Sequence, residues 1–141
     1  MDYTDENRGH FQNIRRAKQV IEFADIKYGN ITPTDIDGFF ERHNEAFVFF
    51  ELKKRGAELP SGQKLALTRL VDNLRGAGKK SVLFVAAHDV GDCDKSVVAA
   101  EAEVTDIYFN GAWYREHGKT LKEMSDRFIK WSETGERQER G

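Results

Sequence analysis

The sequence predicts an α/β chain built on a mixed sheet, an α+β arrangement that closes with a β-hairpin and a helix. Three observations predict it. Residues 31–54, ITPTDIDGFFERHNEAFVFFELKK, set the polar His43-Asn44-Glu45 between two runs rich in Ile, Phe and Val, the pattern of an antiparallel hairpin. Residues 81–87, SVLFVAA, form a continuous apolar run bounded by turns, as a strand buried on both faces and paired in parallel does. Between these two regions, Leu67, Leu70, Val71 and Leu74 recur at helical spacing. Strand, helix and strand then follow as a right-handed crossover requires.

The 141 residues suit a single domain spanning 1–141, large enough to bury a core. Apolar residues make up 39% and ten are Phe, which excludes a disordered chain, while 33% charged residues imply a well-solvated surface. The formal net charge of −2 neither marks nor excludes a nucleic-acid binder, because an acidic cluster can sit beside a local basic track. Cys93 is the only cysteine and forms no internal disulfide, which suits a reducing compartment. The opening MDYTDENRGH lacks the apolar stretch of a secretory signal, and no run approaches the ~18 apolar residues of a membrane span. A cytoplasmic protein without a membrane partner is expected.

The first element is an amphipathic helix over residues 11–28, with Phe11, Ile14, Ala17, Val20, Ile21, Ala24 and Tyr28 on one face. Arg15, Arg16 and Lys18 lie on its outer face, as a plain solvated surface or as an edge that contacts phosphates. Gly29-Asn30 is expected to end it.

In the hairpin, a turn centred on Asn44 pairs residues whose numbers sum to 88. Asp37 then faces Glu51, Asp35 faces Lys53, and all four side chains share one side of the sheet. A turn with an odd number of residues keeps that arrangement, whereas a two-residue turn separates Asp37 from Glu51. Opposed carboxylates repel, and a hard divalent cation such as Mg²⁺ is the natural neutraliser. The ordinary alternative is an exposed cross-strand ion pair, which contributes about 0–1 kcal/mol. Against it, Glu51-Leu52-Lys53 is the only Glu-x-Lys in the chain. The second strand carries Phe47, Phe49, Glu51 and Lys53 on one side, a row that turns from apolar to charged as it enters a cleft. Adjacent Phe39 and Phe40 predict that the first strand is covered on both faces.

Pro60-Ser61-Gly62-Gln63 opens the next helix, with Ser61 as N-cap, and Gly76-Ala77-Gly78 stops it. Gln63 in its first turn is placed to reach the cleft or to remain a surface residue. Lys64 and Arg69 are further candidate phosphate contacts. His88-Asp89 ends the buried strand, where His88 is a general base or, more ordinarily, a loop residue. Gly91-Asp92-Cys93-Asp94 reads as a polar loop, with metal binding through its acids as the alternative. Residues 97–109 alternate poorly but are rich in strand formers, and Asn110-Gly111 marks a tight hairpin into Ala112-Trp113-Tyr114. Trp113, Tyr114 and Arg115 serve structure or stack on bases. Thr120-Leu121-Lys122-Glu123 is a capping box, and Leu121, Met124, Phe128 and Trp131 form one face of a last helix, packed on the domain or available to a dimer.

Asp37, then Glu51-Leu52-Lys53 fourteen positions later on the next strand and followed by a helix, resembles the PD-(D/E)XK nuclease superfamily of restriction enzymes, Holliday-junction resolvases and phage-type exonucleases. The resemblance covers roughly residues 11–88 and rests on a short motif. It implies a restriction-endonuclease-like αβββαβ core: helix, three antiparallel strands, helix, strand. It also implies that Asp37 and Glu51, with the backbone carbonyl of Leu52, hold Mg²⁺ or Mn²⁺. Lys53 would then orient the attacking water or stabilise charge. Gln63 matches a glutamine of exonuclease-like branches, although the tyrosine found four residues later in those branches is Leu67 here. Glu22 corresponds to a first-helix glutamate that joins the metal in some resolvase-like members. Pro33 stands two residues before Asp35 and four before Asp37, so there is no literal Pro-Asp and both acids remain candidates. Asp37 is favoured because it opens the apolar run Gly38-Phe39-Phe40.

The implied function is a Mg²⁺-dependent nuclease, foremost a DNA endonuclease of the junction-resolvase or phage type, with linear duplex, branched junction, single strand and RNA all open as substrates. Arg15, Arg16, Lys54 and Arg55 would contact the backbone, and a homodimer would supply the two active centres of paired cuts. The alternative is a module of the same fold that binds DNA or a protein partner without catalysis.

Overall fold

The computed structural model describes residues 22–91 and 96–140. The chain divides into two units between Pro33 and Thr34.

In the first unit, the expected helix over 11–28 falls outside the described residues as far as position 21, and residues 22–28 are not helical. The Ile26 N–H bonds three residues back to the Phe23 carbonyl at 2.9 Å, so it makes a turn instead of the four-residue helical repeat. Tyr28 and Ile31 exchange two backbone hydrogen bonds of 2.9 Å each. Gly29, at φ 63°, is thus the first central residue of a two-residue turn and does not stop a helix.

The second unit is a five-stranded mixed sheet in the order β1-β2-β3-β4-β5. Strand β1 (Gly38–Arg42) pairs antiparallel with β2 (Ala46–Lys54), from Gly38↔Phe50 to Arg42↔Ala46. Every pair sums to 88, as expected. The turn between them has three residues, with left-handed φ of 52° at His43 and 57° at Asn44. Among the described residues β1 is an outer strand and nothing covers Phe39 and Phe40, whose side chains are exposed, although Phe39 stacks on Phe49 at 5.2 Å.

Helix α1 (Ser61–Gly76) carries the chain to β3 (Lys80–His88), which pairs parallel with β2. Among the described residues two antiparallel strands precede α1, where the αβββαβ expectation had three. The N-cap of α1 is Pro60 and not Ser61, and no side chain caps it. Leu67 and Val71 are its buried positions, while Leu70 of the expected stripe is exposed.

Strand β3 is buried almost end to end because the sheet is covered on both sides there. Leu67 and Val71 of α1 pack with Phe49, Leu83 and Tyr108 on one face. On the other face, Val48, Val82, Phe84 and Val104 pack against Leu121 and Phe128 of α2 (Leu121–Arg140). Strand β4 (Glu103–Phe109) lies antiparallel to β3, and β5 (Ala112–Arg115) is the second outer strand. Their turn holds left-handed φ at both Asn110 (56°) and Gly111 (83°), which the Asn-Gly pair tolerates. The C-terminal hairpin and helix are therefore present as expected. The Thr120/Glu123 box is reciprocal, each backbone N–H meeting the other's side-chain oxygen at 3.1 Å. The α2 face of Leu121, Met124 and Phe128 packs on the sheet, and Trp131 meets Phe109 edge-on at 5.4 Å. No described helix is long and apolar enough to cross a membrane.

Candidate active site

Two carboxylates meet where β1 begins. Gly38 sits across from Phe50, and a Cβ at Gly38 would run into the Phe50 ring, so only glycine lets β1 approach so closely there. Asp37, one residue earlier, is brought against Glu51. Its backbone N–H donates to Glu51 Oε2 at 3.2 Å, and its own Oδ2 accepts the Leu52 N–H at 2.7 Å. Glu51 is a central-strand residue only 1% exposed. Gln63, in the first turn of α1, donates through Nε2 to Glu51 Oε1 at 2.6 Å and to the Asp35 carbonyl at 3.2 Å. Gln63 therefore reaches the cleft, as one of its two expected positions required.

Burial pushes the Glu51 carboxyl up to about 8, and the adjoining Asp37 carboxyl pushes in the same direction through its hydrogen bond and its charge. The Asp37 N–H and Gln63 oppose the shift without overcoming it. In the absence of a cation, the pair holds a proton at neutral pH.

The donors suit a hard cation. Asp37 and Glu51 supply carboxylate oxygens, and the Leu52 carbonyl leaves β2 on the same side as its N–H, toward Asp37. Among the described residues no three His, Cys, Asp or Glu side chains form a metal-binding group. This set would therefore be completed by water or substrate oxygens, as Mg²⁺ commonly is.

Lys53, two residues beyond Glu51 and on its face, lines a polar cavity of about 430 Å³ with Lys64, Val85, Asp106, Trp113 and Arg115. Glu51, Val85, Asp106 and Arg115 are successive cross-strand partners, so this cavity lies on the same face of the sheet as Glu51, and its Val85 wall is the strand neighbour of that residue. Lys64 Nζ stands 4.7 Å from the centroid of the Trp113 ring, an exposed cation–π contact of about 0.5–1 kcal/mol. Arg115 Nε lies 3.7 Å from Asp106 Oδ1.

The sequence did not reveal Asp106. The register of β3 and β4 shifts between Val85 and Ala86, so Val104 and Asp106 face opposite sides although they stand two apart. The poor alternation over 97–109 was the signal of that bulge.

Other expected residues lie elsewhere. The β1–β2 ladder ends at Gly38↔Phe50, so Asp35 is not a strand partner of Lys53, and only its carbonyl contacts the site, through Gln63. Arg55 is engaged by acids. Its Nε and Nη2 donate to Asp89 at 2.7 and 3.3 Å, and its Nη1 donates to Glu103 at 2.7 Å. Lys54 is exposed at the end of β2. His88 Nδ1 accepts the Val90 N–H at 3.2 Å, a loop role. Arg15, Arg16 and the Asp92-Cys93-Asp94 loop lie outside the described residues, and Glu22 belongs to the other unit.

No protein-family model, characterised protein or solved structure matches this chain.

Proposed function

We propose that the protein is a metal-dependent nuclease of the PD-(D/E)XK type, hydrolysing DNA phosphodiesters on a restriction-endonuclease-like core. One observation carries the reading: Glu51 is buried beside a second carboxylate, with Lys53 on the same face at the mouth of a polar cleft. A carboxyl held there is costly to the fold unless a proton or a cation neutralises it.

When bound, Mg²⁺ or Mn²⁺ would lower the pKa of a coordinated water and polarise the phosphate. Asp37, Glu51 and the Leu52 carbonyl would hold it. Gln63 fixes the Glu51 carboxyl by its 2.6 Å hydrogen bond, which prevents Glu51 from swinging away when the proton leaves. Lys53 places a positive charge on the cleft side of the pair, where charge builds on the phosphate. Lys54 would meet the backbone of DNA, and a homodimer would provide paired cuts.

A second reading has its own observation. The two oxygens of Glu51 already have protein donors, so the protonated pair closes on itself without a metal. That state suits a module that binds DNA or a protein partner without catalysis.

The experiment is direct. Purified protein is incubated with linear, branched and single-stranded DNA in Mg²⁺ or Mn²⁺ and in EDTA. Cleavage with metal alone is expected, and Lys53→Ala should reduce turnover by roughly 10²-fold or more. Survival of all three substrates through long incubation with Mn²⁺ removes the nuclease reading and leaves the binding module.

A further inference from the structure

We propose that the cavity beside Glu51 is a subsite for one unpaired nucleotide, with its base stacked on Trp113 and its phosphate met by Lys64 and Arg115. The inference rests on the nuclease reading and narrows its substrate class to nucleic acid with single-stranded character at the point of cleavage.

The first argument is the position of Trp113. It stands on the outer strand β5, is 37% exposed, and is braced from within by Tyr108, whose ring lies 5.2 Å away at 55°. A braced, half-exposed indole on a cleft wall is a rigid apolar platform.

The second is the occupant of its ring. Lys64 Nζ rests over the indole, so the ring is open to a cation on a flexible stem. Base–aromatic stacking is stronger than an exposed cation–π contact, so an incoming base displaces the ammonium. The freed Lys64 then pairs with the phosphate of the same nucleotide.

Charge and size agree. Lys53, Lys64 and Arg115 line the cavity against Glu58 and Asp106, a local cationic excess in a chain of net charge −2. A volume of about 430 Å³ lies in the range of small-ligand sites. Val85 is the cross-strand partner of both Glu51 and Asp106, so a nucleotide seated here has its backbone leading to the carboxylate pair. A base within a duplex has its faces covered by its neighbours, and only an unpaired base can use this platform.

The test reads binding in EDTA, where the proposed hydrolysis does not run. The probes are a labelled oligothymidylate of about eight nucleotides and a long duplex of two complementary strands with no unpaired bases, followed by fluorescence anisotropy. The single strand is expected to bind more tightly. Trp113→Ala should weaken it about tenfold with the duplex unchanged, and Trp113→Phe should restore most of the loss. Arg115→Ala alters a side chain 89% exposed and keeps the test informative if Trp113→Ala does not fold. That variant should lower the salt slope of single-strand binding by about 0.7. In Trp131→Phe, where Trp113 is the only tryptophan left of two, the single strand should quench its emission. Equal weakening of both probes by Trp113→Ala, or unchanged emission at saturation, overturns the subsite. Cleavage with Mn²⁺ alongside either of those results leaves the nuclease reading standing. Single-strand binding at Trp113 without cleavage of any substrate removes the nuclease reading alone.

Discussion

Glu51 accepts the backbone N–H of Asp37 at 3.2 Å, and the residue after Glu51 donates back to the Asp37 carboxylate at 2.7 Å. The two acids are thus fastened to each other through the main chain, and neither can retreat from the other's charge without breaking the start of β1. Their repulsion is a property of the folded state alone, and this gives it measurable consequences.

The first is a pH dependence. Glu51 holds its proton up to about pH 8 when folded and to about 4.5 when unfolded. Between those values the folded chain binds more protons, so stability falls as pH rises and the loss is complete above 8. In EDTA, the melting temperature of the wild type should fall steadily from pH 5 to 8 by several degrees. Glu51→Gln should flatten that slope. Equal slopes in the two proteins would show that Glu51 is not held protonated.

Divalent metal should act on the same group. An ion that binds only the folded state stabilises it in proportion to the logarithm of its excess over Kd, about 2.7 kcal/mol at a hundredfold excess. For a chain of this size that is on the order of 5–10 °C. The shift with millimolar Mn²⁺ should be larger at pH 8 than at pH 6, because at pH 6 the ion must also displace the proton. Asp37→Asn and Glu51→Gln should abolish it, and Lys53→Ala should retain it. A melt identical with and without Mn²⁺ at pH 8 counts against the metal centre.

The approach of β1 depends on Gly38. An alanine there meets the Phe50 ring on the facing strand and must push the strands apart, an overpacking cost of about 1–3 kcal/mol. Asp37 moves with the strand, so Gly38→Ala should also weaken the Mn²⁺ shift. Phe50→Leu should recover part of both losses in the double variant, and a double-mutant cycle reads the coupling. Additive effects would mean that the ring is not what limits the approach.

Local rules made part of this legible beforehand. The 88-sum register followed from a three-residue polar turn, the second hairpin from Asn110-Gly111, and the last helix from a capping box at Thr120 and Glu123. Each is a short-range preference that the rest of the fold does not overrule. The bulge at Val85/Ala86 is different, since it depends on how two strands distant in sequence fit together, and it brings Asp106 and Trp113 to the cleft. Residues 22–28 carried helical spacing without the helix, because spacing describes a face and Gly29 favours a left-handed turn. The partners of Arg55 lie 34 and 48 positions away and could not be seen in its neighbourhood.

The last prediction separates Arg55 from Lys54, which stand side by side at the end of β2. Arg55 spends its guanidinium on Asp89 and Glu103, tying together the ends of β2 and β3 and the start of β4, whereas Lys54 is exposed. Arg55→Ala should therefore lower the melting temperature and leave DNA affinity nearly intact, and Lys54→Ala should do the reverse. Arg55→Lys should not restore stability, because one ammonium cannot reproduce a fork shared between two carboxylates. Asp89 is held below its ordinary value chiefly by Arg55, and Glu103 chiefly by the Gly118 N–H with Arg55 second. Groups depressed in this way contribute stability above the ordinary carboxylate range and lose it as pH falls through their folded values. The gap in melting temperature between wild type and Arg55→Ala should thus be present at pH 6, begin to narrow below about pH 4, and close as Asp89 and Glu103 take up their protons. An absent gap at pH 6, or a DNA affinity that falls as far for Arg55→Ala as for Lys54→Ala, would return Arg55 to the DNA-facing surface.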